Sequence, residues 1–412
     1  MKLVTHATEQ FVDDLPFDIV ERKGKGHPDT LADGLAEELS REYSLRCLSR
    51  YGVILHHNTD KTALLGGSAH VAFGEGYLTS PIEVLVNGRF SSGVGGDLLG
   101  VEGMVDEVSR CYLGGMLPLL DRQRDLRIRP RISAASSPGH VHAGRNGHSG
   151  SRAYWFNPRS VDDLAELRRM FSNDTSCGVG YAPASQAELV ARSLEERVTD
   201  PVFQLTHPEY GTDVKVMACR AGSEMNVTIC VPQIARYTPD LNTYVQRKQE
   251  LLAHLRAWTE ELCPTLRPRV SLNTRDDHER RELYLTATGS SIESGDEGVV
   301  GRGNRGSGVI ATTRPMSMEG AAGKNPVYHV GKVYNLAATE AARRLYEETG
   351  LPTTVWLVSQ SGRDLEDPWF AAVQQSRTGA VCASTANRVV EEVVSSLHDL
   401  RDKVLGGRVA VF

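Results

Sequence analysis

An α+β fold of three sheet-plus-helix units is what the order of elements in this sequence predicts. Two observations carry it: strand-like and helix-like patterns succeed one another three times along the chain, and glycine-rich segments punctuate them. The 412 residues suffice for two or three domains with an ample apolar core. The corresponding blocks, taken approximately, are 1–125, 126–270 and 271–412.

In the first block Pro28-Asp29 opens a helical pattern, Leu31, Leu35 and Leu39 recur every four residues, and Gly52 stops it. Strand-like runs follow at Gly52 to His56 and Ile82 to Val86. A basic stretch, DRQRDLRIRPR, then leads into SSPGHVHAGRNGHSGSR, which reads as an exposed connection. The second block has the strand MNVTICV and the helix LNTYVQRKQELLAHLRAWTEEL, on which Leu251, Leu252, Leu255 and Trp258 share a face. The third begins with the alternating run ELYLTATG and crosses a glycine loop. It continues with a helix near Val333 to Thr349, the strand TVWLVS and a closing helix over STANRVVEEVVSSLHDL.

Composition narrows the function. With 40% hydrophobic and 24% charged residues the chain is an ordinary globular protein, and a net charge of -6 gives no global reason to bind nucleic acid or an acidic membrane. Seven scattered cysteines without a C-x-x-C pair read as reduced, mostly buried thiols. The first twenty residues carry acids and no apolar run, and no stretch approaches a membrane span, so a cytoplasmic location is expected.

Three clusters combine glycine with cations, and two of them add carboxylates, the parts needed to hold a metal-bound polyphosphate. In GKGHPDT, Gly24 to Thr30, Lys25 and His27 stand at the positive end of the first helix, and Asp29 with Asp33 offers ligands to a hard cation such as Mg2+. The structural alternative makes Asp29 a plain N-cap. In GDEGVVGRGNRGSG, Gly301, Gly303 and Gly306 spell G-x-G-x-x-G, but extended VIATTRP follows where a dinucleotide fold needs a helix. Arg302 and Arg305 there suit phosphate or carboxylate, with Asp296 nearby. In GAAGKNPVYHVGK, Lys324, His329 and Lys332 form a cationic series, although the P-loop pattern fails at Met318 and Asn325. His140, His142 and His148 have a spacing a metal could use, without an adjacent Cys or carboxylate.

Together these segments resemble the archaeal-type methionine adenosyltransferases. The resemblance runs in order through ERKGKGHPDTLADGLAEELS, GVILHHNTDK with LLGG, SNDTSCGVGYAP, DVKVM, LNTRDDHER, YLTATGSSIESGDEGVVGRGNRGSGVI and RPMSMEGAAGKNPVYHVGKVYN, from residue 21 to residue 335. It implies three interleaved α+β units with pseudo-threefold symmetry, a homodimer with active sites at the interface, ATP and methionine as substrates, and Mg2+ with K+ as cofactors. By the same resemblance His27 contacts the triphosphate near its leaving oxygen, and Asp29 holds Mg2+, with Asp33, Asn58 and Asp60 as further metal-site candidates. Asp174, Asp213 and Lys215 line the ATP site, to which the charge clusters above also assign Lys25 and Arg305, and Asp296 receives the methionine amino group. Arg302 and Lys324 grip the phosphates, helped by His329 and Lys332.

Methionine's sulfur carries no proton, so attack on C5′ of ATP needs no general base. Charge on the departing triphosphate is the difficulty, which calls for preorganised cations. The chain departs from the family where GRNGHSGSR stands for a compact Gly-Gln-Gly-Ser segment, so Gly147, Ser149, Gly150 and Ser151 are expected as ATP contacts either with His148 in the glutamine-like place or through a shifted register. Glu297 replaces an Asp, and the loop from Ser91 to Gly103 is unusual. Two other readings remain open at this level: a relative that adenosylates a different thioether or nucleophile, and a silent nucleotide-binding regulatory subunit.

Overall fold

The structure, a computed structural model, describes residues 1–8, 11–134, 154–164, 169–376 and 383–412. Its helices are α1 (Pro28–Tyr51), α2 (Val101–Met116), α3 (Gln186–Val198), α4 (Pro201–Thr206), α5 (Leu241–Leu262), α6 (Val330–Thr349), α7 (Ala383–Val394) and α8 (Leu397–Leu405). None among the described residues is long and apolar enough to cross a membrane.

Three sheets dominate, each covered by helices on one face. The first orders strands Leu3–Thr8, Phe370–Ser376, Thr353–Val358 and Cys177–Ala182, and packs its inner face on α6 and α7. The second orders Arg267–Leu272, Glu224–Cys230, Lys215–Ala221, Phe17–Lys23 and Ile310–Ala311, against α3 and α5. The third orders Leu126–Ser133, Ile82–Phe90, Ala63–Leu65 and Gly298–Val299, against α1 and α2. The sheets do not coincide with the contiguous blocks 1–125, 126–270 and 271–412. Strand Leu3–Thr8 pairs in parallel with Phe370–Ser376, and Gly298–Val299 returns to pair with Ala63–Leu65, so each sheet gathers distant stretches of chain.

Local sequence explains the key contacts. In Cys177–Ala182 the inward positions include Gly178 and Gly180, and a Cβ on either would collide with the α6 backbone around Tyr334 to Thr339. Glycine there lets helix and strand approach backbone to backbone. Helix α1 starts as expected, with His27 as N-cap and Pro28 in the first turn, and ends at Gly52, whose φ of 71° suits glycine.

Two expected strands are not formed as written. Gly52 to His56 is an irregular buried connection, because the Leu55 carbonyl faces His57 Nδ1 and the Asn325 amide instead of a ladder. Of ELYLTATG only Leu285–Thr286 pairs as a strand; the N–H groups of Ala287 and Thr288 are taken by the buried Glu293 carboxylate. The closing helix is two helices, α7 and α8.

Candidate active site

At a spacing of four residues, Asp29, Asp33 and Glu37 form one stripe along α1. Each carboxylate ties down a different segment. Asp29 accepts from Lys23 Nζ at 2.9 Å and from the Val299 N–H at 3.0 Å. Asp33 accepts the N–H of Gly301 at 2.8 Å and of Gly303 at 3.1 Å. Glu37 accepts the Gly323 N–H at 3.0 Å and holds Lys332 Nζ at 2.8 and 2.7 Å. Alternate amides of the glycine loop are thus strapped to the helix, and Glu37 lies about 12 Å beyond Asp29 along its axis.

The partners set the charges. Burial pushes the Asp29 carboxyl up, but the Lys23 ammonium and the Val299 N–H outweigh it, leaving the group below its ordinary range. Asp33 has only backbone donors, and burial pushes it up to about 7.

A cleft of about 580 Å3 opens at the N-terminal end of the stripe, lined by Lys23, His27, Asp29, Lys215, Asp296, Glu297 and Arg302 among others. The His27 Nδ1 accepts the Asp29 N–H at 3.2 Å, which leaves the ring proton on Nε2 as a donor. Burial lowers the imidazole below its usual range, so the ring is neutral. Lys23 Nζ also donates to the Arg302 carbonyl at 2.8 Å, fixing the loop, while the Arg302 side chain is exposed without a carboxylate partner among the described residues. Asp296 accepts from the Glu297 N–H at 3.0 Å and from Ser291 Oγ at 2.9 Å.

A second group of cations lies toward the other end of the stripe. Lys324 pairs with Glu319 and stands 3.9 Å from Asp60, whose N–H donates to Asn58 Oδ1 at 3.1 Å. Lys332 is 1% exposed against Glu37. His329 caps α6 with its Nδ1 buried and without a hydrogen-bond partner among the described residues. Burial first, then Lys324 and Lys332, push this imidazole far below its usual range. The SNDTS segment joins here: Asn173 Oδ1 accepts the Val330 N–H at 3.0 Å and Ser176 Oγ donates to Glu319 Oε1 at 3.2 Å.

A family model described as S-adenosylmethionine synthetase (AdoMet synthetase) matches residues 2–141 and 159–408. The chain belongs to the S-adenosylmethionine synthetase family. It is 36% identical to an S-adenosylmethionine synthase of Saccharolobus solfataricus over 416 residues, covering 97% of each chain. It is also 36% identical to a probable S-adenosylmethionine synthase of Aquifex aeolicus over 424 residues, covering 99% of each. An unusual S-adenosylmethionine synthetase from Campylobacter jejuni shares the fold, with a TM-score of 0.56 at 14% identity, covering 94% of this chain and 88% of the other.

Of the residues singled out in this synthetase-family sequence, His27, Asp29, Lys215, Asp296 and Arg302 share the cleft. Lys324, His329, Lys332, Asn58 and Asp60 belong to the second group, and Asp174 is exposed beside the Asn173 that joins it. Several placements correct expectations. Asp33 does not line the cleft, since its two oxygens are spent on Gly301 and Gly303. Arg305 turns away to brace the Gly301 and Gly303 carbonyls at 2.8 and 3.1 Å. Asp213 is 2% exposed and lies behind Ser291, while Lys25 is exposed outside the cleft lining. Asp29, Asp33, Asn58 and Asp60 do not converge, and among the described residues no three His, Cys, Asp or Glu side chains are set to hold a metal. Gly147, Ser149, Gly150, Ser151 and the histidines His140, His142 and His148 lie outside the described residues.

Sequence reasoning missed Lys23, Glu37, Glu319 and Ser291. Glu37 was within reach, because it continues the four-residue spacing of Asp29 and Asp33. Lys23, Glu319 and Ser291 have partners only five or six residues away, Asp29, Lys324 and Asp296, but no spacing rule marks such pairs outside a regular helix.

Proposed function

We propose that this chain joins ATP and methionine into S-adenosylmethionine, with cleavage of the released triphosphate to pyrophosphate and phosphate. The observation that carries the reading is the cleft's polarity: Arg302, without a carboxylate partner among the described residues, supplies donors with His27 and Lys215, and Asp296 supplies a carboxylate. In the reaction the sulfur lone pair forms the S–C5′ bond as the C5′–O5′ bond breaks, and both electrons leave on the triphosphate. His27 Nε2–H donates to the departing oxygen, and Arg302 meets charge that grows on the triphosphate as that bond breaks. Asp296 receives the substrate ammonium.

Mg2+ fits this cleft as a companion of the polyphosphate instead of a resident ion. One carboxylate plus substrate phosphates and water is a common Mg2+ environment, and each Asp29 oxygen keeps a lone pair after its contacts with Lys23 and Val299. Bound there, the ion would neutralise phosphate charge. A K+ requirement completes the reading and is checked by titrating activity against K+.

We further propose that the catalytic unit is a homodimer in which the cleft of one subunit meets the Lys324 group of its partner. Exposed apolar side chains support it: Phe17, Ile19, Leu65 and Val299 are 48%, 37%, 43% and 40% exposed, and Leu65 and Val299 line the cleft itself. Incubation with ATP, Mg2+ and methionine tests the activity. A sulfonium product of the expected mass, with phosphate and pyrophosphate, is predicted; its absence contradicts the proposal.

A further inference from the structure

Ser291 holds an unusual position between two carboxylates. Its Oγ lies 2.6 Å from Asp213 Oδ2 and 2.9 Å from Asp296 Oδ2, and its N–H donates to the same Asp213 oxygen at 2.8 Å. A hydroxyl has one proton, so Ser291 donates to only one of the two acids. For both short contacts to be attractive, one carboxyl must itself carry a proton. Asp213 is the buried member, and the cost of burying charge favours the proton there. The chain then runs from the Asp213 carboxyl to Ser291 Oγ, and from Ser291 to Asp296.

This arrangement matters because Asp296 is exposed. Its Oδ1 has the adjacent Glu297 N–H, a contact that leaves the side chain free to swing about its own backbone. The Ser291 hydroxyl supplies the second tether, on Oδ2, so both oxygens are fixed and each retains a lone pair. A carboxylate fixed before the ligand arrives loses less freedom on binding.

We infer that Ser291, backed by the buried Asp213, is a positioning residue that sets the Asp296 carboxylate to receive the substrate ammonium, and so determines preference for an amino acid over its deaminated counterpart. Asp213 accordingly serves the amino-acid end of the site through Ser291. The inference rests on the function proposed above, in which Asp296 meets the ammonium.

The test is steady-state kinetics of the full-length enzyme and its Ser291→Ala, Ser291→Cys and Ser291→Thr variants. The Ala and Cys variants are each expected to raise the methionine KM about tenfold, while kcat and the ATP KM shift by less than about threefold. Deaminated methionine, 4-(methylthio)butanoate, is the matched probe: as a competitive inhibitor it should bind parent and Ala variant within about twofold. The Thr variant restores the hydroxyl and should return the methionine KM close to the parent value. A methionine KM that does not move in Ala or Cys, equal losses for methionine and its deaminated analogue, a loss confined to kcat, or no rescue by Thr each overturns the inference. If Ala fails to fold and Cys folds with an unchanged methionine KM, Ser291 is structural and the inference again falls. No sulfonium product from the unmodified enzyme would instead overturn the proposed function.

Discussion

The two ends of the acidic stripe on α1 treat their cations in opposite ways. At the Asp29 end, Lys23 is spent on structure, but the Arg302 side chain faces an open cleft with no carboxylate partner among the described residues. At the Glu37 end, Lys332 and Lys324 are buried, each against a carboxylate, Glu37 and Glu319. At the open end Arg302 is left for an anion although Lys23 and Lys215 are paired with Asp29 and Glu21, whereas the closed end has neutralised both of its lysines. Clustered lysines in a sequence therefore do not by themselves mark a phosphate site: Lys332 is fixed on both Glu37 oxygens, whereas Lys324, in the dimer proposed above, meets a partner's triphosphate by exchanging Glu319 for it.

Substitutions can break or sharpen that contrast. The largest effect is expected for Arg302→Ala, which should lower kcat about 10²–10³-fold with a smaller change in the ATP KM. Equal losses in kcat and ATP affinity would show that Arg302 acts in the ground state. Lys332→Ala should instead appear in folding, with denaturant unfolding reporting a loss of roughly 3–5 kcal/mol, because Glu37 is left without its cation. A stable Lys332→Ala enzyme with depressed kcat would move Lys332 into the catalytic group and erase the contrast.

Between the two ends, Asp33 gives a pH signature. Its carboxyl is raised from 3.8 to about 7 in the folded chain, so its contribution to stability is complete below pH about 4 and is lost as pH rises through 7. The full span corresponds to roughly 4 kcal/mol at most. Asp33→Asn removes this dependence and adds a pH-independent loss, because an amide nitrogen cannot accept from a Gly N–H. The difference between parent and variant, followed by denaturant unfolding, should therefore shrink between pH 4 and 7. The smallest effect is expected for Lys25→Ala, whose exposed side chain lies outside the cleft lining; kcat should change by less than about twofold.

Much of the fold was legible because its signals are local. Pro28 and Gly52 mark the ends of α1, and Leu241 to Leu262 reads as one helix and forms one. The strand pairings were hidden, since nothing near Leu3 announces Ala371 as a partner. For the site, residue types in glycine-rich segments brought out His27, Asp29, Asp296 and Arg302, which share the cleft. The same rule misjudged Arg305, because an arginine aimed at phosphate and one bracing the Gly301 and Gly303 carbonyls look identical in sequence. Direction and partner are properties of the folded chain.

The central claim is that one triphosphate site is completed by the open end of one subunit and the closed end of its partner. Mixing the inactive variants Arg302→Ala and Lys324→Ala, unfolding and refolding them together, and measuring sulfonium formation tests it most directly. Half the dimers would be mixed, and each mixed dimer would contain one site with both residues intact, so about a quarter of parent activity should return. If both residues serve a site within a single subunit, no mixed dimer has an intact site, and activity that stays at the level of the separate variants would contradict the claim.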